Sequence, residues 1–277
     1  MSTTPSRLYH YCSIESLYHI VKSRSIWLSN SRQMNDSDEN IWIEKYFPII
    51  YDYFKEAKYA KLLSDSIDIY KWNSNPPFIF CLSANKDLLS QWRAYSEDGH
   101  GVSIGFNIKS INIKSEIPSP NVYARNTLGI AKVEYYTYLQ KNKIIELCKK
   151  IKEKFDNEKD KDERIIMCLE LGSFLVNCAL VFKNSNFREE REWRIIHTPT
   201  SHYEVPLSQL SSIQFRLKQN RIVTHFVYSF ENDFKSNLIS EIVLGPKCQM
   251  SVTEIEQFLK YHNLKKTKIT ISKSTYR

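Results

Sequence analysis

Helix-like and strand-like periodicities follow one another along this chain without regular alternation. A doubly wound parallel sheet needs a repeating strand–helix–strand pattern, so an irregular mixture points to the α+β class. Ser13 is placed to cap a helix in which Ile14, Leu17, Ile20 and Val21 recur at helical spacing. A short strand follows at 26–29. The polar loop NSRQMNDSDEN comes next, with turn chemistry at Asn35 and Asp36. Residues 38–71 read as helix broken or restarted at Pro48. Residues 78–83 are rich in β-formers, and Asp87 is placed to cap a short helix ending at Tyr95. Residues 102–106 alternate as a half-buried strand does, and 130–136 reads as another strand.

Residues 139–184 predict two long helices joined by the charged stretch 156–163. The second carries an apolar stripe of Ile165, Cys168, Leu169, Leu171, Phe174, Leu175, Cys178 and Val181, as a core helix does. Strands then dominate, at 192–197, 221–230, 241–244 and 268–272. Ser251 and Glu254 form a capping box that opens a helix through His262. A single domain over residues 1–277 is expected, with 139–184 as a helical insertion or flanking layer.

Composition narrows the function classes. Only 6 glycines occur, and neither G-x-G-x-x-G nor G-x-x-x-x-G-K-[ST] is present, which argues against a Gly-rich phosphate loop. The six cysteines include no C-x-x-C, and no short-range Cys/His set has zinc spacing, so no metal is expected. Several cysteines sit in apolar runs, as buried free thiols do, and the N-terminus MSTTPSRLYHY has no apolar signal core. The apolar stretch 174–182 is too short to span a bilayer. A cytoplasmic chain without membrane association is therefore expected. The net charge of +8 fits a polyanionic partner, or a solvated lysine-rich surface.

Four segments hold candidate site residues. His10, in LYHYCS, lies near a strand end and just before a helix, where it can donate a hydrogen bond to a ligand hydroxyl. Ser29 and the loop after it offer polar groups for a ligand amide. Trp92 and Tyr95, three apart, are expected on one helix face and can stack a planar ring, or simply be core. The fourth segment joins Phe182–Lys183 to FREEREWRII, where Glu192 and Arg194 point to one face of a strand, with Trp193 and Ile195 on the other. Those charges form either a salt bridge or a ligand-binding carboxylate site.

Taken in order, YHYCS, IWLSN, FCLS, QWRAYS, GVSIGF, FREEREWRII and EIVLGP resemble the bacterial family called domain of unknown function 2971, over most of residues 8–260. That family is distantly similar to ADP-ribosyltransferases, especially the group that includes the DNA-modifying toxin DarT. The resemblance implies a split mixed or antiparallel sheet core with flanking helices. It implies NAD as the substrate, with His10 as the NAD-binding residue of the first strand and Tyr95, beside Trp92, as the aromatic wall for nicotinamide. Tyr11 and Ser29 would contact the nicotinamide end. Glu192 would be the catalytic carboxylate, orienting the ribose and stabilising the positive charge that develops when the nicotinamide bond breaks. Glu190 is its rival. A DNA or RNA acceptor, a toxin or antiviral defence role and an antitoxin or defence-system partner are implied in the same way. Two other readings stay open. One is a catalytically silent nucleotide- or nucleic-acid-binding module, the other an NAD glycohydrolase.

Overall fold

A computed structural model describes residues 4–33, 39–71, 76–111, 113–118, 127–158, 160–199, 208–218, 220–230 and 237–276. The β-branched and aromatic runs form strands β1 (Arg7–Cys12), β2 (Ser25–Asn30), β3 (Phe78–Ser83), β4 (Val102–Asn107), β5 (Leu128–Lys132), β6 (Glu192–His197), β7 (Gln214–Lys218), β8 (Arg221–Ser229), β9 (Ile239–Leu244) and β10 (Lys268–Ile271). The helices are α1 (Ile14–Ser23), α2 (Phe47–Tyr53), α3 (Ala60–Lys71), α4 (Leu89–Tyr95), α5 (Thr137–Asn157), α6 (Lys161–Val181) and α7 (Val252–Tyr261). The class is α+β, with a mixed sheet and flanking helices.

The sheet branches at β3. One edge of β3 pairs along its full length with β6, from Phe78↔His197 to Ser83↔Glu192, and β6 continues to β5. The other edge is shared. β1 meets it only at Tyr9↔Ser83, while β2 meets it only at Ser29↔Ile79 and Asn30↔Phe78. Between those contacts the middle of β3 has no strand beside it. β1 carries β4, β9 and β10 away on one wing, and β2 carries β8 and β7 on the other. All ladders are antiparallel except β9–β10.

Two apolar cores cover the sheet. One holds α1 and α7 through Leu17, Val21, Ile255 and Leu259, against Leu28, Phe80, Ile104 and Ile195. The other holds α2, α3, α5 and α6, and takes Ile79, Ala131 and Ile196 from the sheet. Alternation along β6 therefore sends Ile195 to one core and Ile196 to the other, and burying each such side chain contributes about 1.5–3 kcal/mol. Gly172 of α6 lies against α3, where a Cβ would come within 2.6 Å of Ile69. Ser13 and Ser251 cap α1 and α7 as expected, and the second forms the full capping box.

Several expectations need correction. The stretch read as one interrupted helix from 38 is 3-10 helix over Glu39–Tyr46, then α2, a second 3-10 turn and α3. Asp87 does not cap α4. Its carboxylate instead accepts from Trp92 Nε1 at 2.7 Å, Ser272 Oγ at 2.6 Å and the Lys273 amide at 2.7 Å, which ties the C-terminal segment to α4. β4 is buried on both faces, with Val102, Ile104 and Phe106 in the first core and Ser103 and Gly105 buried on the opposite face. β5 ends at Lys132, four residues earlier than expected from the sequence. Ile165 and Leu169 lie outside the core with Ile166, while Cys168, Leu171, Leu175 and Cys178 face inward. Over 162–181, α6 is long and apolar enough by length and composition to cross a bilayer, and 44% of that window is buried inside the fold. Asn35 and Asp36 lie outside the described residues.

Candidate functional site

The branch in the sheet is a cavity of about 340 Å³, within the range of small-molecule sites. Its floor is the middle of β3, between the β1 and β2 contacts on that edge. Its walls are β1, β2 and α1, with Gln91 and Tyr95 of α4 and Arg216 and Lys218 of β7. Six of the seven residues singled out from sequence line it: His10, Tyr11, Ser29, Tyr95, Glu190 and Glu192. They come from segments far apart in the chain, and the topology brings them together.

His10 occupies the branch point. β1 leaves the β3 ladder beyond Tyr9↔Ser83, and His10 Nδ1 lies 2.9 Å from the Cys81 carbonyl. A carbonyl only accepts, so Nδ1 carries the proton and Nε2 is an acceptor. Burial pushes the His10 pKa down to about 4, against the smaller upward pull of the Cys81 carbonyl, which keeps the ring neutral. The ring stacks on Phe80 at 4.1 Å. His10 is thus fixed as an acceptor for a ligand hydroxyl, the reverse of the donor role expected, because its one N–H is engaged by the backbone.

Glu190 and Glu192 form the acidic end. A 3-10 turn, Ser185–Glu190, and the left-handed Arg191 (φ 45°) bring the chain into β6. Ser83 Oγ donates to the Glu190 carbonyl at 2.6 Å and Tyr135 Oη accepts from the Glu192 amide at 3.0 Å, which pins the turn. Lys183 Nζ lies 2.7 Å from Glu190 Oε2 and 3.2 Å from Glu192 Oε2. Arg194 grips Glu192 with two bonds, Nε to Oε1 at 2.7 Å and Nη2 to Oε2 at 3.0 Å. Its Nη1 donates to the Leu180 carbonyl near the C-terminus of α6, where a cation is favoured. Burial alone would raise the Glu192 pKa. Arg194 and Lys183 outweigh it and hold the carboxyl at about 2, ionised across the physiological range.

The aromatic pair divides. Trp92 is 0% exposed and does not reach the cavity. It packs edge-on against Tyr11 at 4.8 Å in a small core with Tyr9 and Val243, and its Nε1 is engaged by Asp87. Its expected role as a ring-stacking wall is corrected: on this short helix Gln91 and Tyr95, four apart, share the cavity-facing side. Tyr95 is 46% exposed, so its ring presents an open face. Burial of its hydroxyl, and then Glu190, push the phenol well above its ordinary range. The Tyr11 hydroxyl accepts from the Leu88 amide and donates to the Asn85 carbonyl, both at 2.9 Å, so it shapes the loop before α4 and offers only its ring to the cavity. Ser29 Oγ accepts from Arg216 Nη2 at 3.1 Å.

Sequence reasoning singled out the segments of Lys183 and Gln91 but gave those residues no role, and it missed Trp27 and Arg216 as site residues. Trp27 was findable: Ser25, Trp27 and Ser29 share one face of β2 by its two-residue period, and all three line the cavity. Arg216 was not, because β7 itself escaped notice. All six cysteines are free thiols. Among the described residues no group of three or more His, Cys, Asp or Glu could hold a metal ion.

No curated protein and no solved structure matches the chain. Residues 91–195, which carry Tyr95, Lys183, Glu190 and Glu192, match the family model described as Protein of unknown function (DUF2971).

Proposed function

We propose that the cavity binds NAD and that the chain is an ADP-ribosyltransferase-like enzyme acting on a nucleic-acid acceptor. The observation that carries this reading is the convergence of His10, Tyr95, Glu190 and Glu192 on one cavity. In this reading the bond between C1′ of the ribose and the nicotinamide nitrogen breaks, and its electron pair leaves with nicotinamide. Positive charge then spreads over C1′ and the ring oxygen. Glu192, fixed and ionised, stabilises that charge and accepts from a ribose hydroxyl, since a carboxylate offers about four lone-pair directions. His10 Nε2 accepts from a hydroxyl of the other ribose, and Tyr95 stacks on the nicotinamide ring. The acceptor bonds to C1′ and loses a proton. A carboxyl held near 2 is a poor base, so that proton goes to Glu190 or to solvent rather than to Glu192. The role would be that of a cytoplasmic toxin or antiviral defence effector, with an antitoxin or defence-system partner.

The closed Glu192–Arg194–Lys183 network favours a second reading, a catalytically silent binding module in which those charges serve only the fold. Adenylate-labelled NAD, offered with separate DNA, RNA and protein pools, separates the two. Label on one pool with wild type and not with Glu192→Gln supports the transferase. Free ADP-ribose without labelled product indicates a glycohydrolase. Neither label nor nicotinamide release, with every pool tested, leaves the binding module.

A further inference from the structure

We propose that the β2–β7 end of the cavity is an anion subsite, built to take the pyrophosphate of the bound nucleotide, with Arg216 as its principal donor. The guanidinium of Arg216 is half-buried between β7 and β2. Its contacts are the Ser29 hydroxyl at 3.1 Å and the face of Trp27 at 4.9 Å, with no carboxylate within salt-bridge distance among the described residues. Its Nε is buried without a hydrogen-bond partner, as is Nδ1 of His225, whose ring lies 4.6 Å from Trp27. A half-buried cation with no carboxylate beside it carries a desolvation cost that a bound anion would offset.

A second observation points the same way. A side pocket of about 40 Å³ shares Ser29, Arg216 and Lys218 with the main cavity. That is more than the roughly 15 Å³ one water needs, and Asn30, Gln33 and Thr224 give it polar walls. Arg216 therefore stands where two cavities meet, beside Lys218. A guanidinium presents its donors in a fork that matches phosphate oxygens. At the far end of the cavity Glu192 and Glu190 are already matched to Lys183 and Arg194, so the ligand's negative charge belongs at the Arg216 end. Naming that anion a dinucleotide pyrophosphate rests on the proposed function; the anion subsite itself does not.

The test is titration of wild type, Arg216→Gln and Lys218→Gln with inorganic pyrophosphate, ADP-ribose and nicotinamide riboside, read by Trp fluorescence and calorimetry. Lys218 is solvent-exposed, so its variant folds even where the Arg216 variant does not. Pyrophosphate and ADP-ribose should bind wild type, about tenfold or more weaker in Arg216→Gln and weaker in Lys218→Gln, with nicotinamide riboside unaffected. No binding of pyrophosphate or ADP-ribose to wild type overturns the subsite, as does unchanged affinity in both variants. An oligothymidylate that binds through Arg216 where pyrophosphate does not would assign the site to a nucleic-acid backbone and overturn it too. Pyrophosphate binding without NAD cleavage leaves the subsite standing and removes the transferase. NAD cleavage with an unchanged KM in Arg216→Gln does the opposite.

Discussion

The two ends of the cavity treat charge differently. At the β6 end Glu190, Lys183, Glu192 and Arg194 form an unbroken chain of opposite charges, all buried. At the β7 end Arg216 has a hydroxyl and an aromatic face for company. A buried network of paired charges is rigid and sensitive to loss of any member. Arg216, with no carboxylate within salt-bridge distance among the described residues, has no such matched pairing. The β6 end therefore fixes a carboxylate within a matched network, while the β7 end holds a cation against a hydroxyl and a ring.

The largest expected effect lies in the paired end. Arg194→Met leaves Glu192 and the Leu180 carbonyl short of a donor and should cost about 3–5 kcal/mol in urea unfolding. A loss under about 1 kcal/mol would mean that the network is not what holds this region. Arg216→Gln sharpens the contrast, with an expected change within about 0.5 kcal/mol.

Next comes pH. Burial lowers the pKa of His10 and of His197 to about 4. For a group depressed in the folded state, the unfolded chain binds the extra proton between the folded value and the ordinary one near 6.5. Stability should therefore be full above about pH 6.5 and fall as the pH drops toward 4, by up to about 1.4 kcal/mol per pH unit for the fully buried His197. Chemical denaturation at several pH values reads this directly, and a flat profile over that window would contradict the buried, neutral histidines. Glu192, also depressed, adds stability that is present above about 4.5 and is lost only as the pH falls toward 2.

A smaller effect separates the aromatic pair. Trp92→Phe loses the bond to Asp87 and part of a packed ring, and should cost about 1–3 kcal/mol. Tyr95→Ala should change stability by less than about 0.5 kcal/mol while weakening any stacked ligand. Equal destabilisation by both would undo the division between a core ring and a cavity ring.

Much of this architecture was legible in the sequence, and the exceptions have physical causes. Strands β3 and β6 could be read to the residue because their β-branched and aromatic content leaves no helical alternative. The face assignment of Glu192 and Arg194 followed from the two-residue period alone. Trp92 and Tyr95 could not be assigned to opposite environments, because spacing places residues on a helix without saying which side meets the core. β7 escaped because its QFRLK pattern turns Phe215 and Leu217 outward at an edge, so its apolar residues are exposed and its Arg216 faces a cavity. The branch at β3 was invisible, since it depends on where two ladders stop rather than on any residue type.

In the proposed reaction a fixed, ionised Glu192 stabilises charge developed on a ligand in this cavity. Nicotinamide release from NAD, measured between about pH 5 and 9 for wild type and Glu192→Gln, tests it most directly. Wild type should release nicotinamide with no titration assignable to Glu192 in that range, and the variant should lose about a hundredfold or more. Release by the variant at the wild-type rate, or none from wild type at any pH with acceptors present, would contradict it.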